Sequence, residues 1–169
     1  MSVRTVVLVT GPPGAGKTTL ATPLAAELNL PLIDKDVIKE ALFESLGTGD
    51  REWSRSLSRA SFETMLALAS ELHAAVLVGN FSLEAAPALT ELDPPPIEIF
   101  CRCPRDELVR RIKERGRHAG HLDDATVREV ARGVPSDEPL NLGGPYLEVD
   151  TSSAVAIEPI VNWVRTAGI

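Results

Sequence analysis

The chain has 169 residues, 44% of them apolar and only 4% aromatic, and its 24 acidic against 17 basic side chains give a formal charge of −7. A chain of this length fits one domain and can bury about two thirds of the surface it exposes unfolded, while its negative balance excludes a general attraction to polyanions and leaves any nucleic-acid contact local. No apolar run is long enough to span a bilayer, and Met1-Ser2-Val3-Arg4 leads into a strand without a signal peptide, so a cytoplasmic protein with no membrane partner is expected.

Thr5 to Thr10 is a short apolar, β-branched run of the kind that forms a buried strand, and Thr19 to Leu28 opens an apolar helical pattern. Between them Gly11-Pro12-Pro13-Gly14-Ala15-Gly16-Lys17-Thr18 fits the pattern G-x-x-x-x-G-K-[ST] in its required context of strand, glycine loop and helix. The glycines let the backbone curl so that successive N–H groups face an anion, and the helix N-terminus adds its partial positive charge. Lys17 is placed to reach the terminal phosphates, and the Thr18 hydroxyl to ligate magnesium. Pro31-Leu32-Ile33 is a second strand ending at Asp34. A long helical stretch follows, Val37 to Leu46 and then Arg51 to His73, broken at Gly47-Thr48-Gly49. Trp53, Leu57, Phe62, Met65, Leu66, Ala69 and Leu72 recur at spacings near three and four, which reads as core.

Ala74 to Val78 is the third strand, ending at Gly79-Asn80, and Ile97 to Cys101 is the fourth, after the stiff Pro94-Pro95-Pro96 connector. Cys101 and Cys103 read as buried, reduced thiols, because no further cysteine pair or spaced histidine pair completes a zinc site. Pro104 can open the next helix, whose apolar face carries Leu108 and Ile112 as far as Gly116. Asp124 to Arg132 is a further helix, 133–145 a loop, Tyr146 to Asp150 the fifth strand, and Val155 to Val164 a closing helix interrupted or restarted near Pro159. Strands alternating with helices imply βαβ units and an α/β three-layer fold with a five-stranded parallel sheet.

Phosphoryl transfer needs, besides a phosphate cradle, a metal ligand, a group for the attacking hydroxyl, positive charge on the moving phosphoryl group and shelter from water. Asp34 and Asp36 stand at the carboxyl end of the second strand, the edge where parallel sheets bind ligands. One acid can hold magnesium or its water while the other takes the proton of an acceptor hydroxyl; the structural alternative makes either one an N-cap. Residues 102–117 are the strongly basic stretch of an acidic chain. Arg111 and Arg115, four apart, are expected on one helical face over the nucleotide phosphates, and Arg117, beyond Gly116, on a loop able to swing over them. His118 and His121 fall in the same region, as members of a mobile lid touching phosphate or substrate.

With these motifs in place the chain resembles, over nearly its full length, the small P-loop kinases of the nucleoside-monophosphate-kinase-like fold, and within them the polynucleotide-kinase-like and zeta-toxin-like ATP-binding proteins. Leu32-Ile33-Asp34-Lys35-Asp36 is similar to the strand end that carries the catalytic aspartate of 5′-hydroxyl polynucleotide kinases, which implies Asp36 as general base. Lys39 falls where those enzymes have an arginine near the accepted phosphate or hydroxyl. The segment Glu107 to Gly116 looks like their lid helix and implies Arg115 as the arginine that stabilises the transferring phosphoryl group. Shikimate kinase carries a comparable Asp-x-Asp, and chloramphenicol phosphotransferase a comparable acid. The chain departs from polynucleotide kinases at the third strand, where Gly79-Asn80-Phe81 replaces a magnesium-binding aspartate, which shifts the metal burden to Thr18 and Asp34.

The resemblance implies one P-loop kinase domain over 1–169, with an acceptor-side helical region over about 37–73 and an arginine-rich lid over about 114–138. Mg-ATP is expected on Gly11, Pro12, Pro13, Gly14, Ala15, Gly16, Lys17, Thr18 and Thr19, with Arg111, Arg115, Arg117 and Thr151 completing the nucleotide site. The acceptor is expected at Asp34, Asp36, Lys39, Asn80, Phe81, His118 and His121. A small hydroxyl-bearing molecule is favoured. A 5′-hydroxyl polynucleotide or nucleoside is the alternative, less favoured because stacking aromatics are sparse, and a nucleotide-binding regulatory switch is the rival from another class.

Overall fold

The computed structural model describes residues 5–81, 85–116, 118–133 and 137–168. Five strands, β1 (Thr5–Thr10), β2 (Leu32–Asp34), β3 (Ala74–Val78), β4 (Ile97–Arg102) and β5 (Tyr146–Asp150), form one parallel sheet in the order β2-β3-β1-β4-β5. After β1 the chain builds β2 and β3 on one side, then crosses to build β4 and β5 on the other. The carboxyl end of β1 therefore lies at the point where the winding reverses, the place where open parallel sheets bind ligands.

The central strand carries the layering. Every residue of β1 is buried, and its side chains alternate between two cores as the pleat requires. Val7 and Val9 join the cluster built with Leu20, Ala21 and Leu24 of α1 (Lys17–Leu28), Leu108 and Ile112 of α5 (Arg105–Glu114), Val130 of α6 (Asp123–Arg132) and Ile160, Val161 and Val164 of α7 (Ile157–Gly168). Val6 and Leu8 join the opposite cluster, with Met65 and Ala69 of α3 (Arg51–Ser70), Leu89 of α4 (Ala86–Thr90), and Leu140 and Leu142. The result is the three-layer α/β arrangement that the strand and helix pattern predicts.

Several boundaries differ from that prediction for local reasons. The helix α2 (Lys35–Leu46) starts directly after β2, because the Asp34 side chain caps it by accepting the Asp36 amide at 2.8 Å. Its break from α3 is where the Gly47-Thr48-Gly49 sequence puts it; Asp50 then caps α3 through the Trp53 amide at 2.9 Å. Leu57, Met65 and Ala69 of the α3 stripe are buried, but Trp53 is exposed and donates its indole N–H to the Gly47 carbonyl at 2.9 Å, so it fastens a joint and does not fill the core. The short α4 has no counterpart in the sequence reading, since five residues are too few to display a helical period. Pro159 falls in the first turn of α7 and leaves that helix unbroken.

Cys101 and Cys103 are buried and unbridged. Burial pushes the Cys101 thiol up to about 11, with Lys17 opposing the shift, and raises Cys103 as well, so both stay protonated at neutral pH. No described helix is long and apolar enough to cross a membrane.

Glu98 is the feature of the sheet that a strand pattern hides. It sits in β4 at 2% exposure, where a lone carboxylate would be costly. Its oxygens accept the Thr10 hydroxyl at 2.9 Å and the amides of Leu140 and Asn141 at 2.9 and 3.2 Å. One carboxylate thus ties the last residue of β1 to the segment that leads into β5. Glu98→Ala would strand all three donors and is expected to lower the unfolding free energy by roughly 3 kcal/mol. Denaturant unfolding checks this, and a loss under 1 kcal/mol would contradict the anchoring role.

Candidate active site

The loop between β1 and α1 is shaped by backbone that only glycine adopts easily. Gly11 has φ +132°, and a Cβ there would fall 2.5 Å from the Cys101 carbonyl, so the loop can lie against β4 only without a side chain. Gly16, at φ 78°, then turns the chain into α1 as its N-cap without a side-chain partner. The first amides of α1 face the loop with the helix dipole behind them, as an anion cradle requires. Lys17 curls back over the same loop and donates from Nζ to the Pro12 carbonyl at 2.8 Å. Pro12 is buried, while Thr18 and Thr19 are exposed at the helix start.

The acids meet this cradle through one bond. Asp34 uses Oδ1 to cap α2 and Oδ2 to accept the Thr18 hydroxyl at 3.0 Å. The N-cap alternative and the placement beside the phosphate loop therefore hold for Asp34 at once. Asp36 lies in the first turn of α2, half-buried. A threonine hydroxyl and a carboxylate oxygen 3.0 Å apart are a hard-oxygen pair, and this fits magnesium, which takes one or two protein carboxylates or hydroxyls and completes its shell from phosphate and water. Among the described residues no group of three or more His, Cys, Asp or Glu gathers around a common point.

The two arginines expected on one helical face take different partners. Arg111 stays on α5, and its guanidinium lies over the loop, 3.6 Å from where a Gly16 side chain would begin. It donates to Glu107 at 2.6 Å and to the Thr151 and Ser152 carbonyls at 2.9 and 3.2 Å. The hydrogen bonds from Arg110 and Arg111 hold the Glu107 carboxyl down to about 2, so this pair stays ionised throughout the neutral range. Arg115 instead ends the helix as C-cap with extended backbone, and it grips Asp123, the first residue of α6, through two bonds of 2.8 and 3.2 Å. Spacing by four puts Arg115 one turn beyond Arg111, whose carbonyl accepts its amide at 3.0 Å, but the two guanidinium groups take different partners. Arg117 lies outside the described residues, as do 134–136 within the expected lid span.

The remaining expected residues divide between lid, sheet edge and core. His118 precedes and His121 ends a single 3₁₀ turn over Ala119–His121, and both grip α2: His118 Nε2 lies 3.1 Å from Glu44, and the buried His121 Nε2 lies 2.9 Å from Glu40. Phe43 stands between them, stacked on His118 at 5.2 Å and edge-on to His121 at 5.6 Å. Lys39 is buried with its ammonium on Ser54. Asn80 is exposed at the end of β3. Phe81 corrects the expectation of an acceptor wall: it is 3% exposed and packs edge-on against Phe62 in the second core. Thr151 is also buried, with its hydroxyl on the Arg102 carbonyl and its own carbonyl accepting from Arg111.

Sequence reasoning passed over Lys35, Phe43, Ser54, Ser58 and Asp123. All but Asp123, which meets Arg115 eight residues away, gain their place from a partner far along the chain, and the one local signal was the helical period that puts Lys35, Lys39 and Phe43 on one face of α2.

Residues 6–136 match the family described as AAA domain. The Holliday junction branch migration complex subunit RuvB of Paenarthrobacter aurescens (strain TC1) is 33% identical over 135 residues, 73% of this chain, and the chain spans 37% of that protein's length. A solved candidate kinase from Chloroflexus aurantiacus superposes with a TM-score of 0.87 at 35% identity, over 98% of both chains. Shikimate kinase from Bacteroides thetaiotaomicron superposes with a TM-score of 0.57 at 22% identity, over 96% of this chain and 97% of that one, a likeness of fold alone.

The lid contacts carry a structural prediction. A Cβ on Gly120 would fall 2.6 Å from the Phe43 ring, which cannot yield inside its packing. Gly120→Ala is expected to lift residues 118–121 from α2 and speed limited proteolysis there by about tenfold, as a loss of about 1.4 kcal/mol of local stability implies. An unchanged digestion rate would show that the lid is not held through Phe43.

Proposed function

The chain belongs to the AAA domain family with a kinase-like P-loop fold, and from that premise we propose that it transfers the γ-phosphoryl group of ATP to the hydroxyl of a small molecule. The observation that carries this reading is the Thr18–Asp34 hydrogen bond, which sets the end of the phosphate cradle against a pair of carboxylates at the edge of the sheet. A cradle alone binds nucleotide. A cradle with an acid pair beside it can also activate an acceptor.

In this reading the amides of residues 11–18 and Lys17 hold the β- and γ-phosphates, and Arg111 lies over the same loop. The acceptor oxygen attacks the γ-phosphorus and gives its proton to Asp36; the bond from that phosphorus to the β-phosphate oxygen breaks, and ADP leaves. Thr18 and Asp34 would hold magnesium, which when bound neutralises phosphate charge and keeps the leaving oxygen polarised. Arg115 would reach the transferring group by exchanging Asp123 for phosphate, a trade between two anions that a guanidinium makes readily. Residues 118–121, seated on α2, exclude water from the acceptor side.

The likeness to a solved candidate kinase over the full chain supports this reading, and the overall charge of −7 favours a small acceptor over a polymeric one. Shikimate kinase shares the fold, so hydroxy acids belong among the acceptors to be tried with sugars, nucleosides and oligonucleotides.

Asp36→Asn is the direct test. ATP affinity should stay within about twofold, while transfer of labelled phosphate from ATP to the responsive acceptor should fall by about 10²- to 10⁴-fold. A nucleotide-binding switch would show no acceptor transfer in the parent protein and unaltered slow hydrolysis in the variant. Raising salt separates the acceptor classes: an oligonucleotide acceptor should lose affinity steeply, and an uncharged metabolite should not.

A further inference from the structure

On the β4 side of the phosphate loop lies a cavity of about 220 Å³. Its floor is made by Pro12, Phe100, Cys103 and Leu108, all of them buried. Arg102 and Arg105 at the end of β4 and the start of α5, with Asp137 and Glu138 from the stretch that leads to β5, form its rim. None of the residues expected at the acceptor from the sequence lines it.

Pro12 fixes where this cavity stands relative to the chemistry. The Lys17 ammonium, which in the proposed reaction holds the terminal phosphates, donates to the Pro12 carbonyl at 2.8 Å. A group resting on Pro12 is therefore a close neighbour of the phosphoryl group in transfer. The cavity wall is also seated on the loop itself, since a Cβ on Gly14 would fall 2.9 Å from the Leu108 carbonyl. Its volume is below the roughly 300 to 1,000 Å³ of pockets that enclose a whole drug-sized ligand, so it takes part of a molecule and not a nucleotide.

The guanidinium groups of the rim are already engaged. Arg102 meets Glu148 through two bonds of 2.7 and 2.9 Å and lies 5.0 Å from the centre of the Phe100 ring. Arg105 donates to Asp137 at 3.3 Å, and Glu138 adds a further carboxylate whose charge Arg102 also feels. With three carboxylates set against two guanidinium groups, an entering anion is repelled and must displace a carboxylate to gain a partner. An ammonium group fares little better, because Asp137 already serves Arg105 and Glu138 is exposed, where an ion pair contributes little. What the buried floor offers is apolar contact, from a proline ring, a phenyl ring, a thiol and a leucine. A neutral apolar group gains that contact and breaks no ion pair.

We propose that this cavity seats the non-reacting body of the acceptor and that this body is uncharged and apolar, so that the molecule phosphorylated is a neutral alcohol and neither a polyol nor a hydroxy acid. The inference rests on the kinase reading and narrows its acceptor class.

The test uses the full chain and three probes: phenylglycol, mandelate, which has a carboxylate in place of the terminal carbinol, and xylitol. Transfer from γ-labelled ATP is measured for each, and binding of phenylglycol is measured by calorimetry. Phenylglycol should exceed the other two in kcat/KM by about tenfold or more, the least that one methylene is worth in an apolar pocket. Cys103→Leu, which fills the floor, should raise the KM for phenylglycol by about tenfold or more with ATP affinity retained, whereas Cys103→Ala, which leaves the room open, should hold it within about twofold. The comparison of probes on the parent protein decides even where Cys103→Leu does not fold. Mandelate or xylitol used as well as phenylglycol, or an unchanged KM in a folded Cys103→Leu variant, overturns the apolar cavity and leaves the kinase reading standing. Phenylglycol that neither binds nor accepts phosphate also overturns this inference alone. Phenylglycol that binds, is weakened by Cys103→Leu and accepts no phosphate while ATP is bound overturns the kinase reading, and the cavity's assignment to an acceptor with it.

Discussion

The structure depends on one hydrogen bond between elements that are far from equivalent, the Thr18 hydroxyl on the Asp34 carboxylate. Thr18 belongs to the first turn of α1, and Asp34 ends an edge strand and caps α2. Because Asp34 spends one oxygen on each duty, the cradle and α2 cannot move independently. In the proposed reaction that carboxylate is the link between phosphate and acceptor.

The sheet makes this alignment stiff. β1 is buried along its whole length and feeds both cores by alternation, so the start of the loop has no slack. Gly11 lets the loop press on the β4 backbone, and Glu98 clamps Thr10, the residue just before it, to the segment that leads into β5. The cradle is therefore held from below by β4 and from the side by Asp34. Over it, Arg111 joins α5 to the loop after β5, and Arg115 joins α5 to α6 through Asp123. Arg51 at the start of α3 pairs with Glu129 of α6, which links α3 to α6.

Much of this was legible in the sequence where the signal is local. The phosphate loop, the five strands and the Gly47-Thr48-Gly49 break are each written in a few consecutive residues, through glycine, proline and β-branched runs. What stayed hidden was set by distant partners. Glu98 reads as the polar position of an alternating strand, yet it is buried because residues 140 and 141 bring two amides to it. Lys35, between two aspartates in sequence, is buried because Ser58 of α3 meets its ammonium. Phe81 stands at the ligand edge in sequence and turns into the core in space. Arg115 shows the limit of spacing rules, since they place its backbone one turn beyond Arg111 but do not show that Asp123 holds its guanidinium.

A crystal structure of the chain with magnesium and a non-hydrolysable ATP analogue tests the central claim most directly. The account predicts β- and γ-phosphates on the amides of residues 14–18, the metal on the Thr18 hydroxyl with Asp34 in direct or one-water reach, and Asp36 facing the γ-phosphate from the acceptor side. Phosphates seated away from this loop, or a metal held elsewhere while Asp36 points away from the nucleotide, would contradict it.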